Sequence, residues 1–275
     1  MSKESLKFCQ LQLKHAGTTF SRQLQTCYPY VQLNSADSEG VSFSYKVKPG
    51  LCRLKNPEGI PMMSTGALMA VFDDLSTYSF MYQDPNCRPG VSIQLQAEIF
   101  RPIPANTSII VSSKALKCGR NVGFCDMKLV DLEGQVLAVG KHIKYLPMGG
   151  IWDFVTHKSI LPNFLNLYEK YGDSLVKSYI GKKIQEFVTG GKRNKGYKDV
   201  NIDLETTGSL FSSLPLQCAN HNLSDKNKES KTSLFSLATQ PFMNNPMGAL
   251  HGGALAIACE EAVMLCTVMR NFLYT

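Results

Sequence analysis

Two stretches of the chain begin a helix in the same way, and this internal repeat limits the possible architectures more than any other feature. Ser64 opens the first stretch and is followed by Thr-Gly-Ala-Leu, whereas His251 opens the second and is followed by Gly-Gly-Ala-Leu. An acid stands nine residues later in both, Asp73 in the first stretch and Glu260 in the second. Such a repeat indicates two copies of one domain rather than one long domain.

The second of these helix starts has the features of an active or binding site. Its glycine-rich turn leads into an apolar segment, residues 256–269, that is typical of a helix. Unpaired backbone N–H groups and the positive end of the helix dipole meet at such a junction, so negative charge is stabilised there. His251 adds a side chain that donates or accepts hydrogen bonds. The motif alone leaves a plain loop open as the alternative.

Composition excludes several classes of protein. The chain has 275 residues, of which 44% are hydrophobic, so it is long enough for two domains. It has no apolar run of the roughly 20 residues that a membrane span needs, and no apolar core of a signal peptide. We therefore expect no membrane insertion and a cytoplasmic location, and the basic segment 1–25 leaves a mitochondrial presequence open as the alternative.

Cysteine, histidine and charge usage narrow the expected ligands. The nine cysteines are scattered and form no Cys-x-x-Cys pair, which argues against a disulfide framework and a zinc site, and the five histidines show no ligand spacing. We expect no metal. The formal net charge is +7, and its densest basic cluster lies in 182–198 with few aromatic residues between the charges. That pattern is typical of a solvated linker, so no nucleic-acid partner is expected.

Residue periodicity predicts an α+β first domain over residues 1–147, with an N-terminal helical segment. Alternation of apolar and polar residues predicts five strands, and a helical stripe predicts one long helix. The predicted strands are 41–48, 91–100, 107–117, 121–130 and 135–146, and the predicted helix is 66–82. In strand 91–100 the odd-numbered residues from Val91 to Ile99 are expected to share one face, opposite Ser92. A helix laid on an antiparallel sheet buries both apolar faces.

The rest of the chain predicts a linker and an incomplete second copy. Residues 148–231 read as an irregular and partly helical region, with mobile loops at 190–198 and 220–231. Residues 232–275 predict a strand over 232–242, the glycine turn and a helix. The second copy then lacks the strands that its helix should cover. We expect that the natural chain continues, that a partner supplies these strands, or that this copy is decaying.

Several motifs together resemble a known family. They are the turn Asn-Pro-Met-Gly-Ala-Leu-His-Gly-Gly-Ala-Leu with Glu260, the start of the strand at Gly90-Val91-Ser92, the turn Lys117-Cys-Gly-Arg120, and the strand 134–142 that ends in Lys-His. This set resembles the hotdog-fold acyl-CoA thioesterases of the phenylacetate-type and thioesterase-superfamily-2 group. The resemblance implies a hotdog fold, an acyl-CoA substrate and no separate cofactor, because coenzyme A is part of the substrate. It also implies paired hotdog units, here as a pseudo-dimer within the chain or a homo-oligomer.

The resemblance further implies one composite catalytic site. Asp73 would deprotonate a water or attack the thioester, and the Gly252 N–H would stabilise the oxyanion. Asn245 and His251 would hold the water and the carbonyl, and Ser92 would orient the water or the leaving sulfur. Three further residues are expected to bind substrate, with the two cations meeting the coenzyme A phosphates: Gly253, Lys117 and Arg120. Incidental surface charge is the alternative for the two cations.

The reciprocal site is expected to be degenerate. It would pair Glu260 with Ser64, Thr65 and Gly66, where the His and the first Gly are missing, and Glu58 would take the position of Asn245. This loss, with the incomplete second copy, leaves open a non-catalytic acyl-CoA-binding or scaffold protein. A hotdog dehydratase is a further alternative, although an acid on the helix behind His-Gly-Gly fits hydrolysis better.

Overall fold

The computed structural model describes residues 3–15, 20–157, 159–177, 202–221, 233–245 and 250–273. Its helices are α1 Lys3–His15, α2 Phe20–Gln23, α3 Thr65–Gln83, α4 Gly150–Val155, α5 Leu161–Lys177, α6 Ser209–Ser212 and α7 Gly252–Leu273. Its strands are β1 Val31–Asp37, β2 Gly40–Lys46, β3 Cys52–Lys55, β4 Pro61–Met63, β5 Val91–Ile99, β6 Ser108–Cys118, β7 Val122–Val130, β8 Val136–Tyr145, β9 Leu216–His221 and β10 Ser233–Leu237.

Helix α3 is the centre of the fold. Ser64 caps it, because the Ser64 side chain accepts a hydrogen bond from Ala67 N at 3.1 Å. The apolar stripe expected from the sequence is buried, namely Leu68, Val71, Phe72, Leu75 and Tyr78. Polar residues on the other faces of α3 are buried as well. The large sheet covers one side of this helix, and α7 packs against another side of it. Those buried polar residues form the candidate site.

A six-stranded antiparallel sheet wraps α3 in the order β1-β2-β6-β7-β8-β5. The four strands predicted after the helix are confirmed with ends that differ by one residue, and the strand predicted at 41–48 is β2. Phe43, Val111 and Leu129 point from β2, β6 and β7 into the core against the helix. The sequence predicted neither β1 nor the small sheet of β3 and β4.

Strand β5 departs from the predicted alternation. A β-bulge between Ser92 and Gln94 adds a residue, and this reverses which face the following residues occupy. Val91 and Ile93 are therefore 47% and 58% exposed, whereas Leu95 and Ala97 pack against the core. The expectation of one shared face was wrong for this reason. The bulge also leaves Ser92 on the helix side of the strand, next to α3.

The N-terminal and linker regions pack beside this core. Helix α1 contacts α5, where Lys7 Nζ lies 2.6 Å from Glu169 Oε2, and both α4 and α5 lie within the region 148–231. The expected mobile loop 190–198 lies outside the described residues, and so does most of 220–231. No helix in the described ranges is long and apolar enough to cross a membrane.

The last part of the chain forms a hairpin and a long helix. Strands β9 and β10 pair with each other, so a strand lies in the region predicted as linker, and the predicted strand 232–242 ends at Leu237 before a 3₁₀ turn, Pro241–Met243. Helix α7 packs on α3 through two glycines. A Cβ on Gly253 would lie 2.7 Å from Ala70 Cα, and one on Gly66 would lie 3.0 Å from Ile257 Cα. Any larger residue there would push the helices apart.

Candidate active site

The Asp73 carboxylate lies at the point where α3, β5 and the start of α7 meet. It is buried, with 3% of the residue exposed. Ser92 Oγ donates to Asp73 Oδ1 at 2.6 Å, and Gly253 N donates to Asp73 Oδ2 at 2.9 Å. The Gly253 N–H is at the start of α7, where backbone N–H groups have no partner within the helix. Residues that are far apart in the sequence thus converge on one carboxylate.

His251 forms an ion pair with this carboxylate. Its Nδ1 lies 3.0 Å from Asp73 Oδ2, and its ring packs 5.1 Å from that of Phe20, centroid to centroid. Burial acts to lower the pKa of His251, but the charges and hydrogen bonds of Asp73 and Asp74 outweigh burial and raise it to about 9. Burial acts to raise the pKa of Asp73, and His251, Lys144 and His142 hold it well below its usual range. At neutral pH the pair is therefore a carboxylate and an imidazolium.

His142 on β8 is a member of the site that the sequence reasoning missed. Its Nε2 lies 2.9 Å from Ser92 Oγ and 3.3 Å from Asp73 Oδ1, and its Nδ1 lies 2.6 Å from Ser76 Oγ. Burial and the charge of Lys144 lower the pKa of His142 to about 3, although Asp73 acts to raise it. The imidazole is therefore neutral. A consistent chain of donors runs from Nε2–H to Ser92 and from Ser92 to Asp73, with Ser76 donating to Nδ1.

Lys144, two residues further along β8, was also missed. It is 3% exposed, and its Nζ donates at 2.5 Å to Thr77 Oγ1, which donates at 2.8 Å to the backbone oxygen of Asp73. Burial lowers the pKa of Lys144, and Asp73 and Asp74 act against that effect. A clue was present in the sequence: the strand alternation puts a histidine and a lysine at inward positions, where polar side chains are rare.

Gly252 keeps open the space in front of the carboxylate. A Cβ at Gly252 would lie 2.9 Å from Asp73 Oδ2 and 3.3 Å from Ser92 Oγ. Any side chain at this position would therefore crowd both groups, which explains a glycine here. The hydrogen bond to Asp73 comes from Gly253, whose sequence-based role was substrate binding. The expected role of the Gly252 N–H as oxyanion donor stays a prediction.

The remaining predicted site residues lie nearby in the fold or at the same sheet end. Asn245 is half-buried and follows the bridge between Asn244 and Leu250, just before the glycine turn. Lys117 and Arg120 are exposed at the β6–β7 turn. The pairing of Ser92 with Lys144, of Lys144 with Gly123 and of Gly123 with Cys118 places that turn at the Ser92 end of the sheet. The β6–β7 turn and Ser92 are three strand spacings of about 4.8 Å apart, which is a distance of roughly 14 Å.

The reciprocal position reproduces part of this geometry around Glu260. Gly66 N donates to Glu260 Oε2 at 2.9 Å, as Gly253 N does to Asp73. Ser64 stands where the other site has His251, and its hydroxyl is used in capping α3, while Thr65 is exposed at the helix start. The structure thus brings together all four residues of the predicted degenerate site: Ser64, Thr65, Gly66 and Glu260.

The residue that corresponds to Asn245 is Arg53, and not Glu58 as predicted. A 3₁₀ turn precedes each of the helices α3 and α7, and the residue after that turn forms a β-type pair. The pair is Cys52 with Met63 before α3 and Asn244 with Leu250 before α7. The residue after the pair is Arg53 in the first case. Glu58 is exposed in the β3–β4 loop. The prediction failed because it counted residues backward through loops of different length.

Comparison with known proteins agrees with the fold. No protein-family model matches the chain. In sequence it is similar to acyl-coenzyme A thioesterase 13 of Homo sapiens, at 25% identity over 101 residues, which are 35% of this chain and 71% of that protein. The mouse protein of the same name is 27% identical over 82 residues, 30% of this chain and 58% of that protein.

Among solved structures, thioesterase superfamily member 2 from Mus musculus aligns with a TM-score of 0.43 and 25% identity, covering 54% of this chain and 100% of that chain. The zebra fish protein of that name aligns with a TM-score of 0.39 and 24% identity, covering 46% and 93%. A central helix wrapped by an antiparallel sheet is the hotdog fold, so the α+β hotdog class expected from the sequence is confirmed.

Proposed function

From a hotdog fold whose sequence relatives carry the name acyl-coenzyme A thioesterase, we propose that this chain hydrolyses acyl-CoA thioesters to a free acid and coenzyme A. The site we propose is composite, with Asp73 and Ser92 on one side and the turn His251-Gly252-Gly253 on the other. One observation carries the proposal: a buried, ionised carboxylate accepts a hydrogen bond from the Gly253 N–H at the start of a second helix. In this proposal the two halves act as a pseudo-dimer within one chain.

The donors around Asp73 are also those that a thioester carbonyl needs. Asp73 is weakly basic while Ser92, His251 and Gly253 all donate to it. A carbonyl oxygen that enters beside Gly252 would attract the His251 Nδ1–H and the Gly252 N–H. The carboxylate then loses part of its stabilisation and becomes more basic. Asp73 either takes a proton from a water that attacks the carbonyl carbon, or attacks that carbon itself to form an acyl-enzyme anhydride.

The same groups serve the second half of the reaction. Attack places negative charge on the former carbonyl oxygen, which the helix-start N–H and the imidazolium stabilise. When the C=O bond reforms, the C–S bond breaks and the thiolate leaves, with a proton from protonated Asp73 in the water route or from His251 in the anhydride route. In the anhydride route a water then hydrolyses the anhydride, which releases the free acid and restores the Asp73 carboxylate. Ser92, held by His142, keeps the carboxylate oriented. Asn245 would hold the attacking water, and Lys117 and Arg120 would bind phosphates of coenzyme A.

The test is hydrolysis of a panel of short, long and aryl acyl-CoAs, followed by release of free thiol. We expect turnover in the natural chain and its loss in Asp73→Asn, with binding of coenzyme A unchanged. The matched control is Glu260→Gln, because Glu260 occupies the equivalent place on α7 and accepts the equivalent glycine N–H. Turnover that falls equally in both variants would contradict a single composite site.

The other functions make different predictions in the same experiment. A non-catalytic binding or scaffold protein would bind coenzyme A with no turnover that depends on Asp73. A hotdog dehydratase would hydrate an enoyl-CoA and leave the thioester intact. Either result, obtained with a protein whose near-UV circular dichroism shows a folded core, would replace the thioesterase proposal.

A further inference from the structure

Asp74 lies next to Asp73 on α3 and faces the other nitrogen of His251. Asp74 Oδ1 is 3.5 Å from His251 Nε2, while Asp73 Oδ2 is 3.0 Å from Nδ1. The ring is thus placed between two consecutive carboxylates. Asp74 is 6% exposed.

The N-terminal segment holds Asp74 in this orientation. Ser21 Oγ, on α2, donates to Asp74 Oδ1 at 2.5 Å, and Thr26 Oγ1, which follows α2, donates to Asp74 Oδ2 through a short contact. Both donors are neutral, so they orient the carboxylate without cancelling its charge. The ring of Phe20, from the same segment, packs against His251. The charge of Asp74 therefore remains available to His251.

The Glu260 end of the helix pair gives independent support. Glu261 follows Glu260 on α7 as Asp74 follows Asp73 on α3, and Arg53 NH2 donates to Glu261 Oε1 at 3.1 Å. At both ends the first acid binds a glycine N–H, and the second acid binds a cation from the opposite half of the chain. The cation is a guanidinium at one end. At the other end it is the imidazolium of His251, which comes from a different position before the helix, since Arg53 corresponds to Asn245.

We propose that Asp74 is a positioning residue that fixes His251, in its protonated form, with Nδ1 directed at Asp73 and the reacting carbonyl. Ser21 and Thr26 hold Asp74 for this task, so the N-terminal segment is part of the site. The role of the proton in hydrolysis rests on the proposed function, whereas the placement and charge of His251 do not. The two are therefore tested by separate measurements.

Among the described residues, the groups that face this pair fit that assignment. From α3 His251 meets Asp73 and Asp74, and from β8 it interacts with His142, while Lys144 acts on the two aspartates. Three further groups interact with Asp74, and burial raises the pKa of each, so that they are neutral at neutral pH: Cys27, Tyr45 and Tyr78. The two aspartates are thus the negative charges among these groups, and they are on opposite edges of the ring.

The decisive measurement is the pH at which His251 is half protonated, here called its midpoint. It is monitored by NMR of the ring nitrogens and carbons in the whole chain. We expect Asp74→Asn to lower the midpoint by at least about 1 pH unit, because one of two carboxylates is lost. Asp74→Glu should largely restore it. Glu261→Gln, the matched change at the other end, should leave it in place. An unchanged midpoint in Asp74→Asn, or an equal shift in Glu261→Gln, would overturn the proposal.

A second variant separates positioning from general loosening of the site. Ser21→Ala removes the donor to Asp74 Oδ1, the oxygen nearest His251. The charge on that oxygen is then less stabilised by the hydroxyl, so the His251 midpoint should rise. If Asp74→Asn and Ser21→Ala merely loosened the site, the His251 midpoint would shift toward the ordinary histidine value in both variants. Opposite shifts support the proposal, and a downward shift in Ser21→Ala contradicts it, even if Asp74→Asn fails to fold.

The pH profile of hydrolysis links the midpoint to function. If protonated His251 is needed, the alkaline decline of kcat/KM should move to lower pH in Asp74→Asn by the same amount as the NMR midpoint. A midpoint that moves without any hydrolysis in the natural chain would count against the proposed function and leave the placement of His251 supported. If the midpoint moves and the kcat/KM profile does not, the proton on His251 has no role in hydrolysis.

Discussion

The two ends of the α3–α7 pair share one framework and differ in the groups that surround it. At each end a carboxylate of one helix accepts the glycine N–H at the start of the other, over the same 2.9 Å. The neighbours of Asp73 are two histidines and a serine, and both histidines can gain or lose a proton. Beside Glu260 stand a serine that caps its own helix and the pair of Arg53 with Glu261.

This difference distinguishes the contacts that hold the two helices together from the titratable groups that are present at one end. The contact between a helix acid and a glycine N–H holds two helices together at both ends, and it needs only a glycine and an acid at the right spacing. What one end adds is a set of titratable groups and an open space at Gly252. An acid in this position is therefore not by itself evidence of a site. The five predictions that follow test this difference, from the largest expected effect to the smallest.

The largest expected effect is on hydrolysis in Gly252→Ala. The new methyl group would lie 2.9 Å from Asp73 Oδ2, in the space proposed for the thioester. We expect kcat/KM to fall about 100-fold or more, of the order seen when an oxyanion donor is lost. The matched change is Thr65→Ala at the start of α3, where the side chain is exposed and activity should not change. Equal activity in both variants would argue against the proposed carbonyl position.

The next effect is on stability, at the Glu260 end. Arg53→Met leaves Glu261 mostly buried without its cation, so we expect the free energy of unfolding to fall by about 2–3 kcal/mol in urea, with hydrolysis unchanged. Lys114→Met is the control, because the Lys114–Glu39 pair is exposed and should contribute less than about 1 kcal/mol. A loss of activity in Arg53→Met would mean that the two ends are coupled.

The pH dependence of stability should reveal the titratable end. The pKa of His251 is raised to about 9, so its contribution is complete below the unfolded value of 6.5 and is lost as pH rises through 9. The decline between pH 7 and 9 should be about 2 kcal/mol, and His251→Gln should remove it. A decline that persists in His251→Gln would place its source elsewhere.

His142 should act in the opposite direction. Its pKa is lowered to about 3, so the neutral ring contributes fully above the unfolded value of 6.5, and that contribution is lost as pH falls from 6.5 toward 3. Asp73, whose pKa is also lowered, adds to the acid decline below its unfolded value of 3.8. Thermal unfolding as a function of pH should show a smaller decline between pH 6 and 4 in His142→Gln than in the natural chain.

The smallest effect is expected at the β6–β7 turn. Lys117→Gln and Arg120→Gln each remove an exposed cation, and if these cations meet coenzyme A phosphates, KM should rise by about threefold with kcat unchanged. Lys128→Gln, on β7, is a control for net charge. A rise of the same size in all three variants would mean that overall charge, rather than a phosphate site, is responsible.

Local patterns in the sequence predicted much of this molecule. Alternation at period two located β2 and the four strands that follow α3, and the repeat of Gly-Ala-Leu with an acid seven residues after its glycine predicted both long helices. The same repeat brought Asp73, His251, Gly252 and Glu260 forward as site residues. These patterns succeed because periodicity and helix starts are set by neighbouring residues.

Residues that contact each other only in the folded chain were beyond such patterns. The bulge in β5 decides the orientation of Ser92, and pairing with the rest of the sheet brings His142 and Lys144 of β8 under Asp73. A one-residue change of register reverses a strand's faces, and no local signal fixes it here. The correspondence of Arg53 with Asn245 was missed for a related reason, since loop lengths vary while paired positions do not.

The sequence by itself determined the α+β elements, the repeated helix start and the acids that follow it, because each depends on spacing along the chain. The tertiary structure alone decided that Gly253 rather than Gly252 donates to Asp73, that His251 lies between two carboxylates, and that Ser21 and Thr26 hold one of them. Charge, burial and hydrogen bonding act through space. Their balance in this site is therefore set by residues that the chain brings together only when it folds.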